Sequence, residues 1–201
     1  MASILIDMLR SAHLLFFAAG MGTSLYYDFR TFQTLHDPID KIEIQGLMRI
    51  HTWVSLTFGC LWVSGIALIY IRTAFDLAAF SPKLWLKVGI MTLMVWNAQK
   101  IGRKIIPLLK DNVGTPMIGL PTPQLLGATQ LAVNSMFCWT AGLILGSSVA
   151  VKTAPWETLI IVSIGWFALL TITAQTTVFL MNIRNQRAQI AEDLSTSAIS
   201  R

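Results

Sequence analysis

The chain has 201 residues, 54% of them hydrophobic and only 12% charged, with a net charge of +5. An ordinary soluble domain carries about 25% charged residues, and a chain of this length has no interior large enough to hide so much apolar side chain, so a water-soluble globule is excluded. The cations lie mainly where apolar runs end instead of clustering on one stretch, which excludes a nucleic-acid partner and fits a lipid bilayer.

A helix needs about 20 apolar residues, within a range of about 17 to 25, to cross the hydrocarbon core. Five segments meet or approach this: Ile4 to Phe29, Leu47 to Ile71, Lys83 to Ile106, Pro123 to Val151 and Trp156 to Ile183. The fold class expected is therefore an all-α, polytopic transmembrane bundle of about five spans in one domain, with a polar tail over 184–201. The first segment lacks the basic start and the small-x-small cleavage site of a signal peptide. Its uncharged run from Ser11 to Tyr27 is also long for a cleavable core, so it is expected to stay as a span. The third is the weakest, because Lys87 and Lys100 bracket a short apolar centre.

The connections carry turn chemistry. Thr31 to Gly46 is polar and holds Asp37-Pro38. Ser81-Pro82 reads as a cap followed by a proline in the first helical turn. Pro107 to Pro123 contains four prolines and two glycines and is expected to be a loop. Ala154-Pro155 restarts the chain after a tight turn. Lys and Arg then set the orientation. The N-terminal face carries Arg10, Arg72, Lys83, Lys87 and Lys152. The opposite face carries Arg30, Lys41, Arg49, Lys100, Arg103, Lys104, Lys110, Arg184, Arg187 and Arg201. This bias places the second face in the cytoplasm of a bacterial inner membrane, the N-terminus outside and the C-terminus inside.

Helices in lipid associate through close backbone approach at small residues and through interhelical hydrogen bonds. Ala18-x-x-x-Gly22, Gly20-x-x-x-Ser24 and Gly142-x-x-x-Gly146 offer the first. Gln130, Asn134 and Cys138, each four residues apart, form a polar stripe on the fourth span, and Gln175 lies on the fifth. These amides are read as interhelical links, with the lining of a cofactor or substrate cleft as the sharper alternative. Cys60 and Cys138 lie inside apolar runs and read as packing residues. The scattered methionines form no Met-x-Met cluster, so they read as gap-fillers.

Three histidines remain. His36 sits in the polar first connection. His13 and His51 fall near span ends, and neutral imidazole is a common haem-iron and metal ligand. At 1.5 Å per residue, His13 lies about 25 Å from the second face and His51 close to it. One haem cannot use both as axial ligands, so either one ligates or each has other partners. Ser55, Gly59 and Trp62 continue the His51 face, where glycine admits a flat ring and tryptophan can stack. The bland alternative is an imidazole bonded to a neighbouring carbonyl or amide. Lys87 either snorkels to the interface or turns inward to an anionic group. Asp28 and Arg30 end the first span within reach of an ion pair. No nucleophile elbow, phosphate-cradling glycine loop or HExxH occurs, and no two carboxylates share a span centre, which disfavours hydrolases and nucleotide-driven enzymes.

The run His13-Leu-Leu-Phe-Phe-Ala-Ala-Gly-Met-Gly, the start Arg49-Ile-His51 with its later Gly65-Ile-Ala-Leu, and Leu84-Trp85-Leu86-Lys87 followed by Asn97 and Gly102-Arg103 resemble the CopD-like and HemJ-like membrane families over about residues 10–150. The resemblance implies a compact helical bundle that handles copper or takes part in haem biosynthesis, with haem b as cofactor and His13 and Lys87 as the residues carried over. A HemJ-like protein would be an oxidoreductase acting on protoporphyrinogen. The sequence departs from the HemJ pattern at Asn97, where a histidine is expected, and after Asn134, where Ser135 replaces an acidic residue. Its last span is also extra. The expected cofactor-binding set is therefore His13, His51, Lys87, Gly59, Asn97 and Asn134, with His13 and His51 as metal ligands. The alternatives are a homo-oligomeric or complex-bound subunit or assembly factor, and a copper transporter.

Overall fold

A computed structural model describes residues 2–199, so Arg201, counted above on the second face, lies outside the described residues. The chain folds as an all-α bundle. Helix α1 spans Ala2–Gln33, α2 Lys41–Thr73 and α3 Pro82–Lys100. A π-helical turn, Ile101–Ile105, continues α3 into the short α4, Ile106–Asp111. Helices α5, Thr122–Ser147, and α6, Trp156–Ile199, complete it.

Local chemistry explains the boundaries. Ser81 caps α3 by accepting from the Leu84 N–H at 3.4 Å, and Pro82 opens the first turn. Helix α2 closes on Ala74, whose N–H donates to Tyr70 O at 2.8 Å. Ala74 and Phe75 take φ of 48° and 62°, a left-handed conformation that costs a Cβ-bearing residue about 1–2 kcal/mol.

The expected loop over Pro107–Pro123 is corrected in its first part, because helix continues to Asp111. Proline removes one N–H and clashes with the carbonyl four residues back. The π turn over Ile101–Ile105 widens the helix immediately before Pro107, which is the kind of local adjustment that lets helix continue past a proline. Pro116 and Pro121 lie in irregular chain, tied down by Ile118 N to Leu35 O at 2.9 Å and by Asn182 Nδ2 to Ile118 O at 2.8 Å, and Pro123 lies in the first turn of α5. The segment expected as a polar tail is helical to Ile199, and Arg184, Gln186 and Arg187 along it are exposed.

Four helices are long and apolar enough to cross a membrane: 3–33, 41–73, 122–147 and 156–191. Their burial ranks them. Of the most apolar window of α5, 56% is buried, against 6% in α1 and α6 and 17% in α2. Helix α5 is thus the central post and the others are peripheral. Leu14, Leu15, Val63, Ile161 and Ile172 are all more than 60% exposed, a surface that in water would be an aggregation patch and in a bilayer meets lipid. Helix α3 does not reach the same hydropathy, yet Ile90, Met94 and Asn97 on it are buried and it packs on α5. Its length, about 28 Å at 1.5 Å per residue, matches the hydrocarbon core.

The core centres on Trp139, 1% exposed, with the rings of Phe17 and Phe58 edge-on at 5.5 Å and 6.1 Å. Gly20 makes room for it: a Cβ there would lie 2.6 Å from Trp139 Cη2. The small-residue motifs are used unequally. Gly20 and Ser24 are buried while Ala18 and Gly22 face outward, and Gly142 meets Phe17 while Gly146 meets nothing within 4 Å.

Candidate functional site: a cavity between α1, α2, α3 and α5

The polar side chains of the bundle fall into three groups, one at each end and one through the middle. The middle group is an amide chain. Gln175 Nε2 on α6 donates to Gln130 Oε1 at 3.0 Å, and Gln130 Nε2 to Asn134 Oδ1 at 3.0 Å. Asn134 Nδ2 then donates to Asn97 Oδ1 at 3.2 Å, and Asn97 Nδ2 to Leu131 O at 2.9 Å. Asn97 is fully buried, so these bonds replace water entirely at that side chain. This is the interhelical link expected of the stripe.

The two histidines are held apart. His13 Nδ1 lies 2.8 Å from Ser64 Oγ, whose own proton is directed at Cys60 O, 2.8 Å away, so the imidazole is the donor. His51 Nε2 donates to Ala98 O at 3.0 Å, since a carbonyl can only accept. Ser64 and His51 are 13 residues apart on α2, about 20 Å along the axis. Each ring also rests on a glycine: a Cβ on Gly65 would lie 3.3 Å from His13, and one on Gly102 3.5 Å from His51. Lys87 is half-buried on the His13 side, within electrostatic reach of His13, Lys83 and Arg72.

Around His51 the bundle opens into a cavity of about 740 Å³. Its α2 wall is a single stripe at helical spacing that includes Glu43, Leu47, His51, Ser55, Phe58, Gly59 and Trp62. From Glu43 to Trp62 that stripe runs about 28 Å. Helix α1 contributes Ser24 and Asp28, α3 and its π turn Asn97, Ala98, Gly102 and Arg103, and α5 Leu131 and Ser135. The charged groups on the wall are at the end where α1 finishes: Asp28, Asp37, Glu43 and Arg103. Tyr27 Oη donates to Glu43 O at 3.1 Å and fastens this end of α1 to the start of α2. Deeper in, the wall is largely apolar; its polar groups include Ser24, Ser55, Asn97, Ser135 and the Trp62 indole, whose Nε1 is buried without a hydrogen-bond partner.

Of the expected site residues, His51, Gly59 and Asn97 line this cavity. Asn134 stands behind Asn97 as its hydrogen-bond donor. His13 and Lys87 lie outside it, toward the other face. The expected ion pair of Asp28 with Arg30 does not form; among the described residues the one ion pair is Arg10 with Asp7, 3.3 Å apart on the surface. Arg30 is exposed, while Asp28 Oδ2 is buried without a partner, because neighbours two apart on a helix point in different directions. Asp28 is the site residue that spacing alone undervalued; its position one helical turn beyond the buried Ser24 was the available signal. Among the described residues, no three or more His, Cys, Asp and Glu side chains converge as a metal cluster.

The fold and cavity define a class, that of polytopic α-helical membrane proteins. No family model, curated protein or solved structure matches the chain.

Proposed function

We propose that this is an integral membrane protein that binds an elongated amphipathic small molecule, a cofactor or a substrate, inside the bundle. The apolar body lies along the α2 stripe toward Trp62, and the polar head sits among Asp28, Glu43, His51 and Arg103. The cavity carries the proposal. A volume of about 740 Å³ is in the range of small-molecule sites, roughly 300–1,000 Å³, and apolar walls with a few polar groups at one end are their usual chemistry. The Lys and Arg asymmetry supports placing the head-group end at the cytoplasmic side of a bacterial inner membrane. Native mass spectrometry of protein released gently from detergent tests the reading. A bound small molecule is expected in the wild type and lost in Gly59→Trp, whose side chain would project from the cavity wall. A wild type that flies only as the bare chain would overturn it.

Haem b, the cofactor that the CopD-like and HemJ-like resemblance implies, is the second reading, and the His51 bond favours it. An imidazole that holds a metal keeps its other N–H on a carbonyl or carboxylate, as His51 does on Ala98, which leaves Nδ1 unprotonated. Gly59 and Gly102 leave the neighbouring wall without side chains, and Arg103 is the cation available to a propionate. Bound haem would supply iron-centred electron transfer; the residues of the chain would hold it and exclude water. The expected result is a Soret band that His51→Ala removes and His13→Ala leaves. Protein from haem-replete cells without that band would sink this version and leave the cavity proposal standing.

A further inference from the structure

Asp28 is the anomaly of the cavity. Its Oδ2 is buried and, among the described residues, has no hydrogen-bond partner and no paired cation. The other charged groups on the wall are Asp37, Glu43 and Arg103, so three carboxylates face a single guanidinium. A carboxylate taken out of water and given no donor is strongly disfavoured. A ligand with a positive charge, entering the cavity, would stabilise the ionised form of this carboxyl.

The surroundings narrow the class. A hard metal cation takes about six to eight oxygen ligands, and among the described residues no metal-holding group of His, Cys, Asp and Glu is present. The walls beyond Asp28 are largely apolar, formed by Leu47, Val54, Phe58, Leu131 and Met94. A carboxylate or phosphate head would add to the excess of negative charge at that end. A protonated amine on an apolar body satisfies both parts: its N–H groups reach Asp28, and its body covers the wall.

We propose that the cavity selects ligands carrying a protonated amine, with the Asp28 carboxylate as the group that holds it. This rests on the cavity-binding reading above, and the test separates the two.

Full-length protein in nanodiscs of zwitterionic phosphatidylcholine is titrated with three probes. They share one long alkyl chain brominated near its middle and differ in the head: primary amine, hydroxyl or carboxylate. Bromine quenches the wall residue Trp62, and Trp62→Phe identifies that part of the signal. The amine is expected to bind about ten-fold or more tighter than the alcohol, with the acid weakest. Asp28→Asn is expected to bring the amine within about two-fold of the alcohol, and Asp28→Glu to keep the preference. Equal binding of amine and alcohol by the wild type, or an amine preference that survives in Asp28→Asn, overturns the role of Asp28 and leaves the cavity proposal intact. No saturable quenching by any probe overturns both. If Asp28→Asn fails to fold, the amine-to-alcohol ratio of the wild type decides.

Discussion

Asn134 Nδ2 donates to Asn97 Oδ1 across 3.2 Å, and this contact closes a run of amides that joins α6 to α5 and α5 to α3. Asn97 has a second bond, to Leu131 O, so each end of its side chain is held by α5. Replacing it by leucine keeps the size and leaves the Asn134 amide with an unsatisfied N–H inside the bundle.

Asn97→Leu is therefore expected to lower stability by about 1–2 kcal/mol, the upper part of the range for interhelical hydrogen bonds in membranes. Asn97→Leu with Asn134→Leu should cost less than the sum of the single changes, because the orphaned amide goes with its partner. Unfolding titrations in mixed micelles measure both. Additive losses would mean that the two side chains are not coupled.

Glycines give a paired prediction. At Gly20 a new Cβ meets Trp139 Cη2 at 2.6 Å, and Trp139 is pinned by Phe17 and Phe58. Gly20→Ala should cost about 1–3 kcal/mol, the range for overpacking a tight core. At Gly22, two residues on, nothing lies within 4 Å. Gly22→Ala should be neutral or stabilising by up to about 1 kcal/mol through helix propensity. The same unfolding assay compares them, and equal effects would refute the packing of α1 on α5.

The contrast between those glycines shows what could be read from the chain. Span positions followed from the apolar runs, because lipid imposes a length that sequence displays directly. The His51, Ser55, Gly59 and Trp62 face was visible as a stripe, and all four line the cavity. Which of the two small-residue motifs on α1 meets a neighbour depends on helix rotation, set by the bulk of Trp139 on another helix, which no local pattern encodes. Asp28 was undervalued for the same reason, since its isolation depends on the placement of α2 and α3. The helix beyond Pro107 was hidden because the π turn that accommodates the proline has no compositional mark.

The two histidines should respond differently. His51 ties α2 to the α3 backbone through one N–H to Ala98 O. Glutamine can carry an N–H to a similar place; leucine cannot. His51→Leu is expected to lose about 1 kcal/mol and His51→Gln about half of that or less. At His13 the partner Ser64 keeps its bonds to Cys60 O and Leu61 O when the ring is removed. His13→Leu should therefore have the smaller effect on stability. A larger loss at His13 than at His51 would show that the imidazole on α1 has work beyond its bond to Ser64.

Helix α3 decides the topology. By hydropathy it is not among the four strong candidates, because Lys83, Lys87 and Lys100 sit on it. Its buried face nevertheless packs on α5, and the lysines lie toward its ends. Lys83 Nζ reaches Ser148 O at 3.4 Å near one end, and Lys100 Nζ lies 3.4 Å over the Trp96 ring at the other. Ends of this kind suit the two interfaces of a bilayer, where lysines snorkel. With α3 crossing, the chain crosses five times and its termini lie on opposite faces; without it they share a face. Reporter fusions active only in the cytoplasm are expected to work at the C-terminus and fail at the N-terminus. Equal activity at both ends would remove α3 from the membrane, and with it the α3 wall of the cavity as an intramembrane surface.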